Sequence, residues 1–464
     1  MMRSMTSTHD VVVLGAGSGG YATALRAAQL GLTVALVEKD KVGGTCLHRG
    51  CIPTKAWLHA AEVADQTRES AALGIHATLD RIDPAGVRAY ADGVVDRLYR
   101  GLGGLVKADG IETVTGEGRL TDEGVQVGDR LLSGRCTVLA TGSFARTLGL
   151  PIDGQRIITS DHALRLEQLP ATAIVLGGGV IGVEFASAWR SLGVEVTVVE
   201  ALDRLVPAED PEASKALARA FRRRGITAVT GTPMQSAEVT DDGVRLTLAD
   251  GATHEAEVLL VAVGRGPVTE GLGFEEAGVR LDRGFVVVDE RLATSRENTW
   301  AVGDLVPGLQ LAHRGFAHGI FVAEEIAHRA QKLDRAPTPV RDREIPKVTY
   351  CEPEIASVGH SEESARQAYG EVESYSYNLA GNGRSQILKT AGFVKVVRRT
   401  DGPVVGITMV GSRVGELVGE AQLITAWEAY PEEVAALVHA HPTQNEALGE
   451  AHLALAGKPL HAHG

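Results

Sequence analysis

The chain has 464 residues, 44% of them hydrophobic and 23% charged, the composition of a globular protein long enough for about three domains. A formal net charge of −13 speaks against nucleic acid as a partner, because a phosphate backbone asks for a basic face. Four cysteines in so long a chain do not make a secreted disulfide scaffold. No uninterrupted apolar run approaches the roughly 18 residues of a membrane span, and the polar start Met1 to Asp10 lacks a signal-peptide core, so a cytoplasmic protein with no membrane contact is expected.

In chain order, residues 11–14 read as an apolar strand. Gly15, Gly17 and Gly20 follow in G-x-G-x-x-G spacing, then an amphipathic helix closing at Leu30-Gly31, a second strand, and Glu38. Gly15 permits the tight turn, Gly17 lets backbone approach a pyrophosphate, and Gly20 lets helix and strand pack closely. The phosphate then rests on a helix N-terminus, where free N–H groups favour an anion, and Glu38 can accept from ribose hydroxyls. Next come helices over 54–66 and 84–107 and short strands over 111–140, of which 135–140 runs into Thr141-Gly142.

The first layout returns at 171–202: strand, Gly177, Gly179, Gly182, helix, Leu192-Gly193, strand, Glu200. A lone glycine fingerprint often marks an ordinary turn. Two complete copies, each with its acidic residue, predict two dinucleotides, and hydride transfer between a nicotinamide and a flavin uses such a pair. Glu200 would repel a 2′-phosphate, and Asp203 precedes the nearest arginine, Arg204, so NAD is favoured over NADP. Arg222-Arg223-Arg224 then reads as a solvated helix end, where cations suit the macrodipole. Strands follow over 244–263 and 299–302, the latter ending in Gly303-Asp304, then a helix from about 313 to 331. The proline-rich, charged stretch 335–346 reads as a linker to a third domain without any glycine fingerprint.

Cys46 and Cys51 have four residues between them, close enough for an internal disulfide if the backbone curls; two buried structural thiols are the alternative. No second cysteine pair completes a metal site, so no metal is expected. Pro53 suits the first turn of a helix, and a cysteine at a helix N-terminus ionises more readily. Cys136 and Cys351, alone in apolar stretches, read as inert core residues. Near the C-terminus, His441 lies five residues before Glu446 with Pro442 between. A turn into a helix could let the carboxylate fix the imidazole tautomer for acid–base work, a surface histidine cluster being the alternative. His439 reads as structural, and His461 and His463 as parts of a frayed tail.

Together these features resemble the flavoprotein disulfide reductases over nearly the whole chain. GGTCLHRGCIPTK (43–55) is similar to the family's redox signature, ATGS (140–143) and WAVGD (300–304) to its further FAD motifs, and the 441–446 segment to its H-P-T-x-x-E motif. The resemblance implies an α/β fold of two Rossmann-like dinucleotide-binding domains plus a C-terminal α+β dimerisation domain. FAD binding would fall to 1–147 and 274–341, NAD binding to 148–273, and the interface to 342–464. It implies a Cys46–Cys51 disulfide, with Cys46 the interchange thiol and Cys51 the charge-transfer thiol against the flavin. Lys55 would pair with Glu184 beside the flavin ring. FAD contacts would come from Gly15, Gly17, Gly20, Glu38, Gly44, Thr45, Lys55, Thr141, Gly142 and Asp304, and NAD contacts from Gly177, Gly179, Gly182, Glu200 and Gly264. His441 and Glu446 would serve the partner subunit's dithiol in a homodimer.

Within the family the pattern is most similar to the dihydrolipoyl dehydrogenases. NAD is the favoured nucleotide, Val180 stands where glutathione reductases have a tyrosine, and the end LHAHG carries no second cysteine pair. The expected substrate is then a dihydrolipoyl group on an acyltransferase subunit of a 2-oxoacid dehydrogenase complex, or on the glycine-cleavage carrier protein. Reduction of a low-molecular-weight disulfide such as mycothione, or of quinones, is the alternative. One departure stands out: His48-Arg49 replaces the common Asn-Val, which is expected to add positive charge near the thiols.

Overall fold

The computed structural model describes residues 7–462 and divides into two compact units. The first comprises the chain up to Ala56, Ala85–Arg146 and Arg265–Asp342. Its sheet is built from β1 (Ser7–Leu14), β2 (Val34–Glu38), β3 (Glu112–Thr115), β4 (Gly118–Thr121), β5 (Gly124–Val127) and β6 (Arg130–Leu139), in the order β3-β2-β1-β6-β5-β4. β3, β2, β1 and β6 run parallel, with Val13 in register with both Leu36 and Val138, while β4 and β5 turn back antiparallel. The far edge of β6 is shared: its first half pairs with β5 and its second half, in parallel, with strand Thr299–Ala301. Strands covered on both faces can be apolar throughout, which is why Val11, Val12, Val13 and Leu14 are all buried.

Helix α1 (Ser18–Gln29) connects β1 to β2 and crosses helix Ala312–Arg329 backbone against backbone. A Cβ on Gly319 would fall 2.4 Å from the Gly19 carbonyl oxygen, and one on Gly315 would fall 2.8 Å from Ser18 Oγ. Glycines at the crossing thus bring the loop before the later helix close to the first turn of α1.

The second unit comprises Trp57–Pro84, Thr147–Gly264 and the chain from Arg343 onward. A parallel sheet runs Thr227–Thr230, Glu195–Glu200, Thr172–Leu176, Val258–Val261, Ile157–Thr159. An antiparallel three-stranded meander of Met234–Val239, Val244–Leu248 and Thr253–Ala256 adjoins it in sequence. The C-terminal segment forms a five-stranded antiparallel sheet in the order Lys347–Thr349, Glu354–Gly359, Val404–Gly411, Phe393–Arg399, Val372–Asn378. Both βαβ repeats therefore appear as such, and the third segment is α+β.

Two expectations need correction. Arg222 and Arg223 are exposed at the end of helix Pro211–Arg223, but Arg224 is not a solvated helix-end cation. Its guanidinium donates to Ser187 Oγ (2.7 Å), Ser191 Oγ (2.6 Å) and the Glu352 carbonyl (3.1 Å), and pairs with Asp65 (3.3 Å). A planar five-donor fork suits several acceptors that converge on it from different elements. Nor does His461 lie in a frayed tail: its backbone N–H and its Nδ1 both meet the Glu450 carboxylate, at 3.0 and 2.9 Å. His463 lies outside the described residues.

Candidate functional site

The C-terminal edge of the first unit's parallel strands gathers three motifs that are far apart in sequence. β1 ends at Gly15, β6 at Ala140-Thr141-Gly142, and strand Thr299–Ala301 at Gly303-Asp304. Ligands of open α/β sheets bind at this edge. Gly15 takes φ +99°, and a Cβ there would sit 2.4 Å from the Ala140 carbonyl oxygen. A Cβ on Gly20 would sit 1.8 Å from the Gly15 oxygen, whereas one on Gly17 would meet only open space. Glu38 closes the turn, accepting from Ala16 N (2.8 Å) and Asp40 N (2.9 Å). Open space above the turn, unpaired N–H groups at the start of α1 and a carboxylate at the end of β2 fit the pyrophosphate and ribose of FAD.

Asp304 is held by a relay that the sequence did not announce. Ser143 Oγ donates to Asp304 Oδ2 (2.5 Å), and Arg265 donates to Ser143 Oγ and to its carbonyl oxygen, each at 2.7 Å. Thr141 Oγ1 donates to the Val268 carbonyl (2.6 Å). The loop after Asp304 is fastened by buried Arg314, which donates to Pro307 O (2.6 Å) and Asp342 (2.7 Å). His318 accepts from Gly303 N through Nδ1 (3.3 Å). Burial, then the Arg314 charge, lowers the His318 pKa to about 4, so the ring is neutral and able to accept at neutral pH. Arg314 and His318 stand four apart on one helix, a spacing that could have flagged them once the Gly303-Asp304 loop was suspected.

In the second unit the second fingerprint repeats the first. A Cβ on Gly177 would approach the Ala262 oxygen to 2.3 Å, one on Gly182 the Gly177 oxygen to 1.9 Å, and one on Gly179 nothing. Glu200 accepts from Gly178 N (2.6 Å) and Leu202 N (2.8 Å), as Glu38 does in its own turn. Gly264, at φ +100°, follows strand Val258–Val261 with open space at its Cβ. Arg204 donates to the Pro207 carbonyl (3.1 Å) within its own loop. Glu200 thus stands as an acceptor at the ribose position, which fits NAD. Glu184, buried on helix Val180–Ser191, accepts from Tyr350 N (2.9 Å).

The two fingerprints separate packing from binding. Gly20→Ala is expected to cost at least about 3 kcal/mol, because a methyl cannot share space with a backbone oxygen. Gly17→Ala should melt where the FAD-free wild type does and fail to take up FAD, since its new methyl would fill the open space above the turn. Thermal melts and the visible flavin absorbance of the purified variants distinguish the two.

The cysteine pair lies on the first fingerprint. α2 (Gly44–Arg49) carries Cys46, and α3 (Cys51–Glu69) begins at Cys51 with Pro53 in its first turn. Gly43 N donates to the Ala16 carbonyl (2.8 Å), and a Cβ on Gly44 would fall 2.6 Å from Gly17 Cα. Both cysteines are free thiols in the structure. The Cys46 thiol is pushed far up by its hydrogen bond to Cys51, then by burial and by the charge of Cys51, with Lys55 pulling the other way. The hydrogen bond and the Cys51 charge thus both favour the protonated form of Cys46. Tyr21, one turn into α1, is pushed up to about 12 by burial and then by the two thiols, so it stays neutral beside them.

The structure revises the reading of His48-Arg49. His48 Nε2 lies 2.9 Å from the Val42 carbonyl, as a donor, and the ring meets Tyr99 edge-on at 5.1 Å. Arg49 lies 3.4 Å from Asp40, so its charge is offset locally. The pair braces the redox loop rather than adding an uncompensated charge to it. Cys136 is half-buried and Cys351 buried; burial raises both, Cys136 to about 11, which leaves them poor nucleophiles.

His441 and Glu446 do come together. Glu446 opens helix Glu446–Leu455, and its Oε1 lies 2.8 Å from His441 Nδ1 while Oε2 accepts from Thr443 N (2.8 Å). Against a burial that opposes it, the Thr443 N–H and His441 hold the Glu446 carboxyl below its usual range. The imidazole itself is 77% exposed, with Nε2 turned to solvent or to whatever approaches. His439 is tied to Glu420 at 2.8 Å, in keeping with a structural role. Among the described residues no cluster of His, Cys, Asp and Glu suits a metal ion, and no helix is long and apolar enough to cross a membrane.

Residues 9–319 match the family model described as pyridine nucleotide-disulphide oxidoreductase, and residues 345–452 match its dimerisation domain. A dihydrolipoyl dehydrogenase of Bacillus subtilis is 38% identical over 98% of this chain and 100% of its own. One from Pseudomonas aeruginosa is 40% identical over 97% and 98%. Among solved structures, LpdA from Mycobacterium tuberculosis has a TM-score of 0.88 at 28% identity, covering 96% of this chain and 99% of that one. The flavoprotein disulfide reductase RclA from Escherichia coli has 0.86 at 24% identity over 97% and 100%, a likeness of fold.

Proposed function

The chain belongs to the pyridine nucleotide-disulphide oxidoreductase family, and we infer that it is a dihydrolipoyl dehydrogenase using FAD and NAD. The observation that carries the reading is the dithiol seated directly on the first dinucleotide fingerprint, through Gly43 N and the Ala16 oxygen. Its dimerisation domain makes the working unit a homodimer.

His441, oriented by Glu446 and reaching the other subunit's dithiol, takes a proton from a dihydrolipoyl thiol. The substrate thiolate attacks Cys46 Sγ of the Cys46–Cys51 disulfide and displaces Cys51 as a thiolate. The second substrate thiol loses its proton to solvent and attacks the substrate sulfur bound to Cys46, which releases the cyclic lipoyl disulfide, and Cys46 leaves with the proton that His441 had taken. The pair has then gained two electrons, with its proton on Cys46 and its charge on Cys51. FAD, held at the first fingerprint beside Cys51, would supply the conversion of a thiolate electron pair into a hydride for NAD, which thiols cannot make directly. Lys55 sits on the flavin side, Glu184 holds the nicotinamide, and Glu200 accepts from the adenosine ribose hydroxyls of NAD.

The natural donor is a lipoyl group carried by an acyltransferase of a 2-oxoacid dehydrogenase complex or by the glycine-cleavage carrier protein, in the cytoplasm. The test is anaerobic reduction of NAD by dihydrolipoamide, with NADP alongside. Fast NADH formation, with NADP at least about tenfold poorer, is the expected result. A flavin that NADH bleaches but dihydrolipoamide leaves oxidised would sink the lipoyl assignment and turn attention to mycothione and quinones.

A further inference from the structure

Two residues before His441 stands a second imidazole with a carboxylate of its own. Glu420, on helix Val418–Ala426, lies with Oε1 2.8 Å from His439 Nε2, and its Oε2 accepts from Asn445 Nδ2. His439 and Asn445 flank His441 on either side, so one carboxylate ties both ends of the segment that carries it. The middle is fastened too. Asn382 Nδ2 donates to the Thr443 carbonyl (3.0 Å), Gln444 Nε2 to the Ser412 carbonyl (2.7 Å), and Thr443 Oγ1 to the Ala440 carbonyl (2.7 Å).

Burial divides the segment sharply. The side chains of His439 and Glu420 are 11% and 25% exposed, against 77% for His441. The His439 ring lies on Gly449 of helix Glu446–Leu455, where an added Cβ would fall 2.6 Å from its Nδ1. That glycine has no positive φ to justify it, and alanine is the better helix former; what its missing side chain leaves is room for the imidazole. The hydrogen bond to Glu420 also raises the His439 pKa, the direction expected of an imidazole held against a carboxylate.

We propose that Glu420, acting through His439 and Asn445, is a positioning residue that aims the exposed His441–Glu446 pair. It touches neither substrate nor cofactor. An imidazole on an exposed turn, held by one carboxylate, could swing; fixing both ends of the turn converts that freedom into a single orientation. Misplacement by about 1 Å can cost roughly a hundredfold in rate. The proposal rests on His441 being the acid–base of the dithiol reaction, and the test separates the two.

In the FAD-loaded homodimer, dihydrolipoamide-dependent NAD reduction reports on His441, while NADH oxidation by ferricyanide reports on flavin and nucleotide without the dithiol. Glu420→Ala is expected to lower kcat for dihydrolipoamide by roughly tenfold to a hundredfold, with KM changed by less than about threefold and ferricyanide reduction intact. His439→Gln keeps an N–H donor for Glu420 and should recover part of what His439→Ala loses; simple space-filling would not distinguish them by kcat alone. Gly449→Ala should reproduce the loss from the opposite side of the ring. In the double variant Glu420→Ala/His441→Gln, the rate should fall no further than in His441→Gln, because a brace has nothing left to aim.

Full kcat in Glu420→Ala, or additive losses in the double variant, would overturn the brace while leaving the acid–base reading untouched. Full activity in His441→Gln would overturn the acid–base reading first and the brace with it. Should Glu420→Ala fail to fold, seen as lost ferricyanide activity and an early melt, the comparison of His439→Gln with His439→Ala decides: equal rates sink the proposal.

Discussion

Cys46→Ser is expected to lose dihydrolipoamide oxidation by on the order of 10³-fold or more, with NADH–ferricyanide activity and flavin content retained. In the proposed mechanism Cys46 is the thiol that meets substrate, and serine offers neither a disulfide to attack nor a comparable nucleophile. The fold should tolerate the change, since Cys46 lies on the short helix α2 held by Gly43 N on Ala16 O and by the His48 ring on Tyr99. Cys51→Ser should lose the same reaction for a different reason. The charge of the reduced pair rests on Cys51, and that charge together with the hydrogen bond keeps the Cys46 proton in place. With Cys51 gone, Cys46 should ionise more readily and alkylate faster at a given pH than in the reduced wild type. Titrating alkylation of the reduced proteins with iodoacetamide checks this; an unchanged Cys46 profile would sink the shared-proton description.

What the sequence reveals depends on how local the physics is. The fingerprints were legible because a G-x-G-x-x-G turn, its helix and its carboxylate are complete within about 25 residues. The structure then places Glu38 and Glu200 on the turn N–H groups at nearly the same distances. The His441–Glu446 pair was legible for the same reason, its partners being five residues apart. Arg224 was misread because its partners are distant: Asp65 is 159 residues away, and a cation next to a helix end says nothing about a fork buried among serines. Arg314, His318 and Arg265 were missed likewise. Each acts on a backbone or hydroxyl at the C-terminal edge of the first unit's sheet, and neither composition nor spacing marks an arginine as a loop fastener. His48-Arg49 was seen but misjudged, because charge was counted without its partners Val42 O and Asp40. Glycines carry a comparable ambiguity. Gly17 and Gly20 belong to one motif, yet only the structure separates the one that leaves room for ligand from the one that leaves room for backbone.

His441→Gln should lower kcat with dihydrolipoamide by about 10²- to 10⁴-fold, the usual worth of a positioned acid–base, and leave ferricyanide reduction unchanged. The pH dependence follows from which partner can titrate. The Glu446 carboxyl is held below its usual range by the Thr443 N–H and His441 against opposing burial, so across neutral pH it remains ionised. A group with a depressed folded pKa contributes above its unfolded value, roughly 4.3 for glutamate, and that contribution fades as pH falls through the lower folded value. The Glu446 tie to His441 therefore persists throughout the working range. Glu446→Gln should lower kcat with dihydrolipoamide by less than His441→Gln does, because the imidazole stays but loses the carboxylate that orients it through Nδ1. An acid limb in stability comes from His318: buried and neutral with a pKa of about 4, it binds fewer protons folded than unfolded between that value and roughly 6.5. Stability should thus decline as pH drops from 6.5 toward 4 in wild type and His441→Gln alike. Melting temperatures followed over that window check the His318 limb, and a kcat with dihydrolipoamide that His441→Gln leaves unchanged would remove His441 from the mechanism.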